Sequence, residues 1–171
     1  FIRMLSHSVS YYILVITSEK ARLIEAYDDR LVKEITEDSE RQQSSTELNF
    51  PIMNTSLPTG SKADPTGASD DDKYLKEFLN RVDKSLQQFY KIDPMPVVLV
   101  GDGQNLGAFE KVCDKANIII DKVNNLANLN DGDPQSFVDG VQEVIANLRT
   151  GRFDAAKQEL EKARDARMVR T

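Results

Sequence analysis

The sequence predicts an α/β domain built on a mixed five-stranded sheet flanked by helices in two or three layers. Three observations carry that expectation. The first third holds three short β-rich runs joined by two-residue polar breaks. The stretch Pro96–Cys113, PVVLVGDGQNLGAFEKVC, reads as a continuous apolar strand, a Gly-Asp-Gly turn and an amphipathic helix. A further apolar run, Asn117–Val123, enters from that helix, and a strand–helix–strand order implies a right-handed parallel crossover. A chain of 171 residues suffices for one such domain with a real core.

Residues 1–9 carry no pattern and read as a lead-in. Ser10–Ser18 (SYYILVITS) is rich in aromatic and β-branched residues, which suit a pleated, packed surface. Glu19-Lys20 interrupts it. Ala21–Tyr27 (ARLIEAY) resumes strand character, with Leu23 and Ile24 as core residues. Asp28-Asp29 is a second turn signal, and Arg30–Ile35 (RLVKEI) a third strand. Turns this short join antiparallel neighbours, so a three-stranded meander is expected.

Residues 36–70 differ in kind. They are dense in Ser, Thr, Asn, Asp, Gly and Pro, with Pro51, Pro58 and Pro65 among them. Connections of this length inside a compact domain are uncommon and are usually functional or disordered. The segment is read as a long variable loop. Its one apolar spot, Asn49–Met53 (NFPIM), is expected to dock on the body or to extend a sheet edge.

Asp70-Asp71-Asp72 opens a helix, because acidic side chains favour the exposed N–H groups and dipole of a helix start. The triple Asp is a cap with solvated neighbours rather than a metal site. Leu75, Phe78, Leu79, Val82, Leu86 and Phe89 then recur at helical spacing. Asp93-Pro94-Met95-Pro96 stops this helix. Val97–Val100 is expected to be the most buried strand, since continuous apolar runs suit strands covered on both faces. Leu106, Phe109, Val112 and Cys113 form the next helical stripe. After the polar loop Asn124–Asp133, Asp133 and Pro134 stand as N-cap and first helical residue. A helix over Phe137–Leu148 follows, ended or bent at Gly151. Arg152–Arg167 is a charge-rich helix with a thin apolar side, a surface or partner-facing element. The chain starts at Phe1 and stops inside a helical pattern, so both ends read as cuts in a longer protein.

Composition narrows function without naming it. Apolar residues make up 40% and charged residues 29%, and mean hydropathy is −0.46, values of a globular chain. No run has the length of a membrane span, so no membrane partner is expected. A net charge of −6 disfavours general binding to nucleic acid, although a local basic patch still permits docking on RNA. The lone Cys113 cannot pair within the chain, lies on an apolar helix face and reads as a structural thiol in a reducing, cytoplasmic setting.

Gly101-Asp102-Gly103 lies where open α/β sheets bind ligands, between a strand and a helix. It is either a phosphate-binding turn or a tight turn that needs glycine. Against the first, Gly107 falls one position late for Gly-x-Gly-x-x-Gly, and no Gly-Lys-Ser/Thr follows. Asp102 and Asp121 are the carboxylates available to a Mg²⁺-dependent nuclease or hydrolase, but such chemistry needs further acidic groups and Tyr11–Thr17 supplies none. The single histidine, His7, sits in the lead-in, and there is no Cys/His cluster. Neither a cofactor nor a metal is expected. The basic residues placed to meet RNA are Lys111, Lys115, Lys122, Arg149 and Arg152.

Several pieces in order resemble one family. They are the hairpin YYILVITSEKARLIEAYDDRLVKEI, a long variable loop, the helix DDDKYLKEFLNRVDKSL, the segment PVVLVGDGQNLGAFEKVCDKANIII and the tail AKQELEKARDARMVRT. This is similar to the middle domain of the bacterial relatives of archaeo-eukaryotic peptide chain release factors and Pelota, over residues 10–171. The resemblance implies a ribonuclease-H-like or release-factor middle-domain-like sheet flanked by helices, with a further domain expected after residue 171. True release factors carry Gly-Gly-Gln in the long loop, where it helps admit water to peptidyl-tRNA. Here residues 36–70 hold Gln42-Gln43 and the single glycines Gly60 and Gly67, but no such motif. The resemblance therefore implies a non-catalytic module associated with ribosomes or tRNA in rescue, hibernation or stress. An interaction domain using the loop at 36–70 or the last helix, and the nuclease with Asp102 and Asp121, remain as other readings.

Overall fold

A computed structural model describes residues 8–36, 39, 49–54 and 68–169, with the side chains at 68–72, 152–154, 156 and 167–169 outside that description. The elements are β1 (Ser10–Ile16), β2 (Lys20–Tyr27), β3 (Arg30–Ile35), β4 (Ile52–Met53), α1 (Ala68–Ile92), β5 (Val97–Gly101), α2 (Gly103–Val112), a short 3₁₀ turn (Ala116–Ile118), β6 (Ile119–Val123), α3 (Pro134–Gly140) and α4 (Gln142–Val169).

One mixed sheet runs in the order β3-β2-β1-β5-β6. β1, β2 and β3 form the antiparallel meander. β5 lies parallel to β1, with Leu14 beside Leu99 and Ile16 beside Gly101. β6 lies parallel to β5 on its other side. The spot at Asn49–Met53 does both things expected of it. Ile52 and Met53 pair with Ala21 and Lys20, so β4 lengthens the edge of β2 that β3 leaves open. Phe50 and Ile52 are buried, and Phe50 meets Phe89 of α1 edge-on at 5.9 Å between ring centres. Asn54 fastens the segment, donating from Nδ2 to the Ser18 carbonyl at 2.9 Å. The rest of the 36–70 loop, with Gln42-Gln43, Gly60 and Gly67, lies mostly outside the described residues.

The alternating pattern of the strands divides the core in two. Tyr12, Leu14, Ile16, Val97 and Leu99 point to one face, where Phe78, Leu79, Val82 and Leu86 of α1 and Leu106 and Phe109 of α2 cover them. Tyr11, Ile13, Val15, Val98 and Val100 point to the other, beneath Phe137 and Val138 of α3 and Ile145 of α4. The domain is thus three-layered, and β5 is buried throughout, as its apolar run requires.

Four local expectations are corrected. Val9, placed in the lead-in, belongs to the core and its carbonyl accepts the Asp28 N–H at 2.8 Å, while residues 1–7 lie outside the described set. The last strand begins at Ile119, not Asn117, after a 3₁₀ turn. Asp133 precedes α3 but its side chain makes no capping bond. Gly151 does not end a helix: α4 runs through it. The break falls at Gly140-Val141, where a Cβ on Gly140 would stand 2.6 Å from Leu126 Cδ2. Gly151 has nothing within 4 Å and so imposes nothing.

The glycines around β5 split the same way. A Cβ on Gly101 would lie 2.5 Å from the Ile16 carbonyl oxygen, inside the β1–β5 seam, whereas Gly107 has open space. Gly101→Ala should cost about 1–3 kcal/mol through forced backbone shifts, and Gly107→Ala should gain about 0.5–1 kcal/mol from helix propensity. Urea unfolding of both variants checks this; effects of the same sign would contradict the packing described.

Candidate functional site

The Gly-Asp-Gly turn is the start of a capped helix. Asp102 takes the extended N-cap backbone, with φ −78° and ψ 157°. Its Oδ1 accepts the Asn105 backbone N–H at 2.8 Å, and its Oδ2 accepts Asn105 Nδ2 at 2.8 Å. Asn105 is buried, so this carboxylate satisfies two donors that would otherwise be stranded. Gly103 opens α2 without a left-handed backbone and with empty space at its Cβ position. Of the two glycines, only Gly101 is demanded by geometry, and by close approach rather than by turn conformation.

Asp102 and Asp121 do not converge. Asp121 pairs with Val98, four residues before Asp102, which separates them by roughly 13 Å along the strand direction. Asp121 is exposed and its Oδ1 accepts the N–H of Lys122 at 2.7 Å. Among the described residues, no three His, Cys, Asp or Glu side chains are grouped to hold a metal ion.

The basic candidates fall in different layers. Lys111 on α2 and Lys115 just beyond it are exposed on the α1–α2 side. Lys122 on the edge strand β6 is held by Glu110 of α2 at 3.0 Å. Arg149 belongs to the opposite layer, on α4, half-buried and close enough for its charge to act on Tyr11. Its Nε is buried without a hydrogen-bond partner. The side chain of Arg152 lies outside the described set.

Two hollows accompany these residues. The larger, about 590 Å³, is a groove between α1 and α2 bordered by Leu75, Lys76, Leu79, Gly103, Gly107 and Lys111. The smaller, about 330 Å³, lies beyond β6 and is lined by Asp121, Asn124, Asn125, Glu143 and Asn147. Further along α1, buried Asp83 accepts the Asp114 N–H at 3.4 Å and Gln87 Nε2 at 3.2 Å.

Sequence reasoning missed a buried polar assembly around Arg22. Arg22, 6% exposed on β2, grips Glu34 of β3 with two bonds, Nε to Oε1 at 2.7 Å and Nη2 to Oε2 at 3.1 Å. Its other donors reach the carbonyls of Leu129 at 3.2 Å and Gly132 at 2.9 Å, and its guanidinium lies 5.1 Å from the centre of the Phe137 ring. A bidentate carboxylate and backbone acceptors are what a buried guanidinium needs. Nearby, Thr17 Oγ1 and Asn130 Oδ1 lie 2.7 Å apart, so the polar loop at 124–133 is tied to the β1–β2 hairpin. The signal was available: a lone arginine inside the apolar run Ala21–Ile24.

Burial pushes the Cys113 thiol up to about 12, with the Asp83 carboxylate acting in the same direction and a bond with the Lys115 backbone acting against it. Burial likewise pushes the Tyr11 hydroxyl to about 12, although a hydrogen bond with Gln142 acts the other way. Both groups hold their protons more tightly when folded than their ordinary values of 9.0 and 10.0. Above those values the unfolded chain binds fewer protons, so stability is lost as pH rises from about 9 to about 12. A melting series across that range should fall continuously, and Cys113→Ala should move the onset towards 10, the ordinary tyrosine value. An unchanged onset would contradict the assignment. Iodoacetamide at neutral pH should leave Cys113 unmodified in the folded chain.

The fold and site together define a three-layer α/β module built on one mixed sheet. The model of bacterial archaeo-eukaryotic release factor family 3 matches residues 10–171, and the chain belongs to that family. No curated protein matches it. One solved structure, described as an archaeal protein, is similar at 13% identity with a TM-score of 0.39. The match covers 94% of this chain and 42% of that one, so the chain spans less than half the length of that protein.

Proposed function

We propose that this domain is a non-catalytic, ribosome- or tRNA-associated module of a release-factor-like protein, serving translation rescue, hibernation or stress in the cytoplasm. The observation that carries the reading is the family match over residues 10–171 in a sequence without Gly-Gly-Gln. On this reading, the order β3-β2-β1-β5-β6 with helices on both faces is the ribonuclease-H-like arrangement of release-factor middle domains. A release factor without its water-admitting motif retains its means of recognition and loses its chemistry. The wide separation of Asp102 and Asp121 along the β5–β6 register favours this over a nuclease.

Co-sedimentation with purified ribosomes tests the proposal. The chain should pellet with 70S particles or a subunit at low salt and be released as salt is raised, because phosphate contacts exchange with counterions. Absence from every ribosomal fraction at low salt overturns it. Release of peptide from peptidyl-tRNA at a stop codon would overturn the non-catalytic part alone.

A further inference from the structure

We propose that the groove between α1 and α2 is the surface on which an RNA phosphodiester backbone lies, held by Lys76 and Lys111 and flanked by Lys73 and Lys115. The inference rests on the ribosome or tRNA association proposed above and names the face that makes it.

Charge and shape carry it. Lys76 and Lys111 border the groove from opposite helices. All four lysines are exposed, and none forms an ion pair among the described residues. Lys122 contrasts with them, being neutralised by Glu110. Glu77, Glu110 and Asp114 stand beside these lysines in sequence, but the charged residues that line the groove are lysines alone. They suit a polyanion, because lysine acts as a mobile point charge on phosphate.

The floor of the groove is equally particular. Gly103 and Gly107 lie along the α2 side with nothing within 4 Å of where a Cβ would stand. A strand of phosphates can approach the helix backbone there without displacing a side chain. The apolar lining, Leu79 and half-buried Leu75, belongs to the core beneath. None of the large exposed apolar side chains (Tyr27, Val32, Met53, Tyr74, Ile92 and Leu160) lines the groove. Protein partners take most of their energy from aromatic and apolar anchors seated in pockets. This groove offers lysines and bare backbone instead, so RNA is favoured over a protein segment.

The site lies on one layer only. Arg149, in the opposite layer on α4, is excluded from it and serves as the control.

The test compares the wild-type chain, K76Q/K111Q and R149Q. Each is titrated with salt against purified ribosomes and against a fluorescein-labelled 20-base-pair RNA duplex. Equal melting temperatures for wild type and K76Q/K111Q establish that the exposed substitutions leave the fold intact. K76Q/K111Q should bind both probes more weakly, and its slope of log affinity against log salt should be shallower by about 2, roughly one for each phosphate no longer neutralised. R149Q should keep the wild-type slope. If wild type binds ribosomes and K76Q/K111Q retains its slope, the groove assignment is wrong and the ribosome reading stands. If K76Q/K111Q loses ribosome binding while wild type ignores the duplex at every salt concentration, the groove holds a protein and the inference fails. If wild type binds neither probe, both readings fall.

Discussion

The parallel pairing of β1 with β5 is the constraint on which the rest of this domain depends. It joins strands far apart in sequence, with Leu14 against Leu99, and both are buried on both faces. Each strand alternates its side chains between two cores, so one seam organises both. The seam tolerates no Cβ at its end, where Gly101 meets the Ile16 carbonyl. A parallel neighbour requires a long connection. That connection contains β2, β3, β4 and α1, and α1 returns to cover the sheet it has just crossed.

A second device holds the opposite layer in place. Arg22 links β2 to β3 through Glu34, to the loop at 124–133 through its carbonyls, and to α3 through Phe137. The loop could not be fixed by its own composition, which is polar and rich in asparagine. It is fixed because a buried guanidinium requires acceptors and backbone carbonyls supply them. Gln142 and Gln135 play a similar part at the β2–β3 turn. Gln142 donates to the Asp28 carbonyl at 3.0 Å, and Gln135 accepts the Leu31 N–H at 3.0 Å. Turn, strands and helices are therefore joined by the buried Arg22 and by two half-buried glutamines.

Much of this was legible in the residues. The three N-terminal runs, the helix after the long loop and the buried strand at Val97–Val100 announce themselves by periodicity and turn chemistry. What escaped was set by tertiary contacts. The spot at Asn49–Met53 was legible as a docking or edge segment, but not the strand it joins: Ile52 and Met53 pair with Ala21 and Lys20 of β2. At the helix break, Gly140 leaves no room for a Cβ against Leu126, while Gly151 looked equally suited and met nothing. For the site, Asp102 drew attention as a ligand residue, and its role as a cap became clear only with Asn105 buried beside it. Lys76 passed unnoticed because its relation to Lys111 exists only once α1 lies beside α2.

On the proposed reading, the α1–α2 surface recognises RNA, and the glycine turn serves the fold. Lysine acetylation footprinting of the ribosome-bound chain, read residue by residue by mass spectrometry, tests it most directly. The account predicts that Lys76 and Lys111 become protected on adding ribosomes while Lys157 and Lys162, exposed on α4, stay reactive. Protection confined to the α4 lysines, with Lys76 and Lys111 unchanged, would contradict it.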